Sequence, residues 1–102
     1  MPSIAPYVAS SDQSVKRMLQ LAKLKPGEIL FDLGSGDGKI ITTAAKDYGV
    51  KAIGVELRED LVKKALERIH DLGLENDVKV VHGDIFDIDI SDASVVTMYL
   101  TT

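Results

Sequence analysis

The chain has no cysteine, which excludes disulfides and thiolate metal sites. It has no N-terminal apolar stretch of the signal-peptide kind. No apolar run approaches the ~20 residues that cross a bilayer, so a cytoplasmic protein is the expectation. It also lacks a basic block: 12 Lys and Arg stand against 16 Asp and Glu, a formal net charge of −4. Tight nucleic-acid binding draws on cationic side chains that displace counterions, so the charge argues against it. Asp87, Asp89 and Asp92 have neither a histidine nor regular ligand spacing beside them. They read as a solvated loop, and no metal is expected. There is no repeat and no low-complexity tract. The 102 residues are 45% hydrophobic, the composition of one folded domain of modest size.

Residues 1–9 form a proline-bearing arm with Pro2, Pro6 and Tyr7. Ser10 and Gln13 suggest a capping box with Ser10 as N-cap, opening a helix that runs to Leu24. Val15, Met18, Leu19 and Ala22 give that helix one apolar face, and Pro26-Gly27 stops it. A strand follows at 28–33, then a helix at 39–48 closed by Gly49. A second strand is expected at 51–57 and a helix at 60–72, where Leu61, Ala65, Ile69 and Leu72 recur at helical spacing before Gly73. A third strand at 78–82, a loop at 83–92 and a fourth strand at 93–100 complete the pattern. Alternating strands and helices predict a Rossmann-like α/β fold, a parallel sheet with right-handed crossovers and flanking helices. The strands are near-continuous apolar runs, as when both sheet faces are covered. Ligands in such sheets bind beyond the C-terminal strand ends, where strand order reverses. Asp32, Glu56, Asp84 and Tyr99 all fall near strand ends.

The stretch Asp32-Leu33-Gly34-Ser35-Gly36-Asp37-Gly38 joins the first of these strands to the helix that begins near Lys39. Glycines reach backbone angles closed to other residues and lack the Cβ that would hold a ligand off the main chain. The bend leads into a helix start, where N–H groups have no intrahelical partner. A dinucleotide fingerprint needs a third glycine where Lys39 stands, and a Walker loop needs Ser or Thr where Ile40 stands. Asp32 and Asp37 bracket the bend, a poor setting for pyrophosphate and a suitable one for an amino group and a sulfonium. Glu56 lies 24 residues after Asp32, near the ~20-residue offset of a ribose-binding acid on a second strand.

These residues resemble the class I S-adenosylmethionine-dependent methyltransferases. The resemblance implies that Asp32, Gly34, Ser35, Gly36 and Gly38 meet the methionine end of the cofactor S-adenosylmethionine. It implies that Glu56 accepts from the ribose hydroxyls and that Leu57 packs on the adenine. In the third-strand motif His82-Gly83-Asp84-Ile85-Phe86, Asp84 would accept from the adenine amino group and Ile85 would offer its backbone N–H. Pro6-Tyr7-Val8, Val15-Lys16-Arg17-Met18-Leu19 and Val95-Val96-Thr97-Met98-Tyr99-Leu100 resemble more narrowly the small archaeal-type protein lysine methyltransferases without a SET domain. There the arm closes over the cofactor, which makes Tyr7 a site residue, and Tyr99 would line the lysine slot. That subgroup has Pro-Thr-Pro where this chain has Ala9-Ser10-Ser11, so the rigidity that positions Tyr7 is reduced. No catalytic base is identifiable. The Asp/Asn-Pro-Pro-Tyr/Phe motif of amino-DNA methylation is absent at Met98-Tyr99-Leu100-Thr101.

The implied function is methyl transfer to a lysine of a protein partner. A small molecule or RNA as acceptor, or an inactive cofactor-binding fragment, remains open. Plainer roles stay open too: Asp32 and Asp84 as turn formers, Glu56 as a helix-start acid, His70 at the surface, His82 as a structural residue and Tyr99 in the core. The resemblance implies a sheet with more strands than the four found, so the chain is expected to be the N-terminal part of the domain and inactive alone. Its fourth strand would then be an edge without guarding charges or prolines, inviting self-association there or through uncovered sheet faces.

Overall fold

Every strand pairing in the sheet is parallel. The computed structural model describes residues 3–7 and 11–99, with side chains from 11 to 98. In chain order the elements are β1 (Ser3–Tyr7), α1 (Asp12–Ala22), β2 (Ile29–Leu33), α2 (Lys39–Tyr48), β3 (Lys51–Glu56), α3 (Glu59–Asp71), β4 (Val78–His82), a 3-10 turn (Ile85–Asp87) and β5 (Val95–Tyr99). The sheet runs β1-β5-β2-β3-β4. From β2 the chain moves outward to β3 and β4, then returns to the other side of β2 as β5. Strand order therefore reverses between β2 and β5, the place where such sheets bind ligands.

The Rossmann-like expectation holds for the four strands β2 to β5. The arm does not stay an arm. Ser3–Tyr7 is a strand, paired in register from Ser3↔Val95 to Tyr7↔Tyr99. The edge expected to be open on β5 is thus occupied, and the outer strands are β1 and β4. Pro6 lies in an edge strand, where a missing N–H is tolerated. Self-association through a bare β5 edge loses its basis.

Two clusters divide the core. Leu30, Ala52, Val78 and Val95 face α1, α2 and α3, packing against Val15, Leu19, Ile41, Ala44 and Ile69. Fully burying side chains such as Leu19, Leu30 and Ile41 stabilises the fold by about 1.5–3 kcal/mol each. All three described helices lie on this face. On the other face Phe31, Leu33, Val55 and Val96 are buried beneath Ile85, Ile88, Ile90 and Ala93. The segment between β4 and β5, expected as a loop rich in acid and isoleucine, covers that face with its isoleucines. No described sheet face of the central strands is left bare.

Local signals set most element ends. Gly49 caps α2 in the left-handed region, as expected. The α1 cap is Ser11 rather than Ser10: its side chain accepts from the Ser14 N–H. That helix ends at Lys23, which takes a left-handed φ of 53°, before Pro26-Gly27 can act. In α3 the acids Glu59 and Asp60 open the helix and Arg68 and His70 close it, the order the helix dipole favours. Among the described residues no helix is long and apolar enough to cross a membrane.

Candidate functional site

At the C-terminal end of β2, Asp32 pairs in register with Gly54 on β3 and Thr97 on β5. Side chains alternate along a strand, so Asp32, two residues beyond Leu30, points to the helix-covered face. It is 0% exposed. Thr97 Oγ1 donates to Asp32 Oδ1 at 2.8 Å, while Oδ2 has no partner among the described residues. Burial pushes the Asp32 carboxyl up to about 7; the Thr97 hydrogen bond opposes this, and the Glu56 charge adds to it.

The bend after β2 is held by its own amides. Gly34 N and Ser35 N both donate to Val55 O, at 2.8 and 3.0 Å, and Gly38 N donates to Ser35 O at 3.1 Å. Gly34, Gly36 and Gly38 all have positive φ. Two glycines also serve close packing. A Cβ on Gly38 would lie 3.0 Å from Ala65 Cβ on α3, and a Cβ on Gly54 would lie 2.6 Å from Ser35 Oγ and 2.7 Å from Ser35 Cβ. The bend therefore folds directly over the bare backbone of β3. Ser35 is buried there, and its Oγ is without a partner among the described residues. At Gly36 a Cβ would meet nothing within 4 Å; this is the open side of the bend.

Glu56 ends β3 and turns its carboxylate onto the bend. Its Oε1 accepts from Gly36 N at 2.7 Å and its Oε2 from Arg58 N at 3.0 Å. Gly83 N donates to Glu56 O at 2.9 Å, and His82 Nε2 lies 2.9 Å from Leu57 O, so β4 braces the turn that carries Glu56. On the far side Arg68 grips Asp37, through Nε to the backbone oxygen and Nη2 to Oδ2, both at 3.2 Å. Lys39 pairs with Asp12 of α1 at 3.0 Å.

The bend was expected to offer unengaged backbone donors. It does not at Gly34, Ser35, Gly36 or Gly38, because those amides fold the bend and seat Glu56. What gathers at the bend is carboxylate: Asp32 fully buried beneath it, and Glu56, also buried, beside it. That favours a ligand carrying cationic and hydroxyl donors over a phosphate.

The remaining expected residues lie further along the strand ends. Leu57 is 67% exposed, free to be covered by a flat ligand. Asp84 accepts from Phe86 N at 2.9 Å and so caps the 3-10 turn; the turn-forming role is realised. Ile85 packs into the second core cluster. The backbones of Tyr7 and Tyr99 are register partners, and their side chains lie outside the described residues. Thr97, Gly54 and Arg68 carry no expectation for the site, and His82, expected as a structural residue, braces the turn that carries Glu56. Gly54 carried a signal: an isolated glycine within a strand marks close backbone approach. Thr97 was the one aliphatic hydroxyl in the apolar run of β5, while nothing local marked Arg68.

A cavity of about 280 Å³ opens elsewhere, among α1, α2 and α3, with Lys16, Lys46 and Asp47 on its walls. Among the residues whose side chains are described, none of the expected site residues lines it.

The family model described as the ANTKMT methyltransferase domain matches residues 32–102, from the buried acid onward. A protein-lysine N-methyltransferase of Saccharolobus islandicus (strain REY15A) is 47% identical over 98 residues, covering 95% of this chain and 61% of that protein. The adenine nucleotide translocase lysine N-methyltransferase of Mus musculus is 36% identical over 98 residues, covering 93% of this chain and 41% of that protein. A crystal structure of an RNA methyltransferase from Salinibacter ruber, in complex with S-adenosyl-L-homocysteine, superposes with a TM-score of 0.88 at 44% identity, covering 92% of this chain and 61% of that one. The chain spans about three-fifths of the length of the first of these relatives.

Proposed function

We propose that this chain, which belongs to the ANTKMT methyltransferase domain family, binds S-adenosylmethionine at the strand ends and serves transfer of its methyl group to a protein lysine. The observation that carries the reading is Asp32: a carboxyl sealed under the glycine bend with one oxygen lacking a partner. A buried acid left in that state is costly unless a donor arrives. The cationic amino group at the methionine end is such a donor. The open side of the bend at Gly36 gives that end a close approach to the main chain.

The other assignments follow the ligand outward. Gly34, Ser35 and Gly38 shape the bend rather than donate to the ligand. Glu56 keeps lone pairs beyond those taken by Gly36 N and Arg58 N, and accepts from the ribose hydroxyls. Leu57 packs on the adenine, Asp84 accepts from its amino group through the oxygen not engaged by Phe86 N, and Ile85 offers its N–H. Tyr7 closes over the ligand, and Tyr99 lines the acceptor slot.

The bound ligand supplies a methyl carbon already activated by its sulfonium. The protein's part is to align a neutral amine with it, a matter of proximity and orientation. A lysine near pKa ~10.4 is brought to its neutral form by burial in an apolar slot, so no side chain need act as general base.

Lysine as the acceptor is supported by the names of the archaeal and mouse relatives. The Salinibacter protein is named for RNA, which makes RNA the second reading. The net charge of −4 and the missing basic block weigh against it, since polyanion binding scales with cationic contacts. Calorimetry of this chain with S-adenosylhomocysteine tests the site; absence of binding defeats it. Incubating the full-length protein with methyl-labelled S-adenosylmethionine, cell protein and RNA tests the acceptor. Label on lysine is expected, and label confined to RNA defeats the lysine reading.

A further inference from the structure

Thr97 and Asp32 face each other across the β5–β2 pairing, at the point where strand order reverses. Both are 0% exposed. Thr97 is the polar side chain in a strand whose neighbours Val95 and Val96 are core residues. A valine would fill the same volume without a hydroxyl to satisfy, so packing alone does not call for threonine. The hydroxyl is engaged by the acid, with Oγ1 2.8 Å from Asp32 Oδ1. A second contact, to Phe31 O, is long at 3.5 Å. The carboxylate accepts and the hydroxyl donates, which leaves Oδ2 as the oxygen without a protein partner.

We propose that Thr97 is a positioning residue for Asp32: by tying down Oδ1 across the switch point, it orients the carboxylate so that Oδ2 receives the cationic amino group of the ligand. This rests on the reading that S-adenosylmethionine binds here. The hydrogen bond acts in two ways. It fixes the carboxylate plane, because a carboxylate held at one oxygen no longer turns freely about its terminal torsion. It also favours the ionised form, against burial and against the like charge of Glu56. No other charged group is aimed at this pair among the described residues. On β3 the register partner of Asp32 is Gly54, which carries no charge. In the bend Asp37 turns to Arg68 of α3, and at the start of α2 Lys39 turns to Asp12 of α1. Glu56 is the one charged neighbour that acts on Asp32.

The test is S-adenosylhomocysteine calorimetry from pH 6 to pH 8.5 on the unaltered chain, Thr97→Val and Thr97→Ser. The unaltered chain is expected to bind more tightly as Asp32 ionises and then level off. Thr97→Val should lose roughly tenfold in affinity at pH 7, the scale of a lost hydrogen bond to a charged group. Its rise with pH should move to higher pH, so that the loss shrinks toward pH 8.5, and Thr97→Ser should restore both features. A folded Thr97→Val with unchanged affinity and unchanged pH dependence overturns the proposal. So does a loss that is equal at every pH and is not restored by serine, which marks a merely structural residue. Should Thr97→Val not fold, Thr97→Cys, whose thiol is only a weak donor, carries the same measurement. NMR titration of the Asp32 carboxyl in the ligand-free protein gives the direct readout: its midpoint should move up in the valine or cysteine variant and return in the serine variant. Failure of the unaltered chain to bind at any pH defeats the ligand reading itself, and this inference with it, before any variant is compared.

Discussion

Glu56 and Gly36, 20 residues apart, are joined by a 2.7 Å hydrogen bond from the glycine amide to Oε1. One carboxylate thereby holds the open side of the bend and, through Oε2, the start of the turn into α3. The group proposed to accept from the ribose is therefore also a brace for the bend that receives the methionine end. On the proposed reading, ribose binding and the order of the bend share a single side chain.

Glu56→Ala removes both roles. Loss of about 1–3 kcal/mol of S-adenosylhomocysteine affinity is expected from the missing charge-assisted hydrogen bonds, read by calorimetry. Glu56→Gln keeps one acceptor oxygen and should lose less. Unchanged affinity in the alanine variant would show that Glu56 is not a ligand contact.

Gly54 and Gly36 should respond to alanine for different reasons. At Gly54 the new Cβ would press on Ser35 Cβ at 2.7 Å and Ile41 Cδ1 at 2.9 Å, so the bend must shift. Destabilisation of about 1–3 kcal/mol is expected, as for overpacking in a core. At Gly36 the Cβ meets open space, but φ is +59°, so the stability cost is the backbone preference alone, about 1–2 kcal/mol. Its affinity for S-adenosylhomocysteine should fall well beyond that, because the Cβ would stand on the side of the bend proposed to receive the ligand. Urea unfolding and calorimetry on the two variants separate the effects.

Asp32 should tilt stability against pH. Its carboxyl is raised in the folded state from 3.8 to about 7. Between those values the folded chain holds a proton that the unfolded chain has released. The stabilisation is therefore complete below 3.8, declines as pH rises toward 7, and stays lost above it. The decline is expected to be up to roughly 4 kcal/mol. Asp32→Asn cannot ionise, so its urea midpoints at pH 5 and pH 8 should differ less than those of the unaltered chain. At pH 8 it should be the more stable protein and the weaker binder. An unaltered slope in the asparagine variant would place the pH dependence on another group.

Removing residues 1–7 should uncover the edge of β5. The strand then exposes unpaired N–H and C=O groups beside the apolar Val95 and Val96, a template for pairing with another chain. Sedimentation velocity should show the shortened chain associating where the intact chain does not. A monomeric shortened chain would mean that β1 is not what protects the edge.

Much of this was legible in order along the chain. The helix at 39–48 and the strand at 78–82 were located to the residue, because Gly49 closes the first and Gly83 ends the second. Asp32, the glycine bend and Glu56 announced themselves by residue type and spacing. The α1 cap was misplaced by one residue because Ser10, Ser11 and Ser14 offer hydroxyls in close succession, and which one accepts depends on where the chain arrives. The arm was not recognised as a strand. Its partner β5 lies some 90 residues away in sequence, and a short segment with two prolines carries no strand periodicity of its own.

The sequence by itself determined the alternation of strands and helices, the bend and the two acids at strand ends, since each depends on backbone preference and apolar spacing within a few residues. Only the tertiary structure decided that the bend's amides are engaged internally, that Thr97 holds one oxygen of Asp32 and leaves the other without a partner, and that β1 closes the sheet edge. Those are relations between strands that meet through parallel pairing, and parallel neighbours are joined by long crossovers, so no local pattern could encode them.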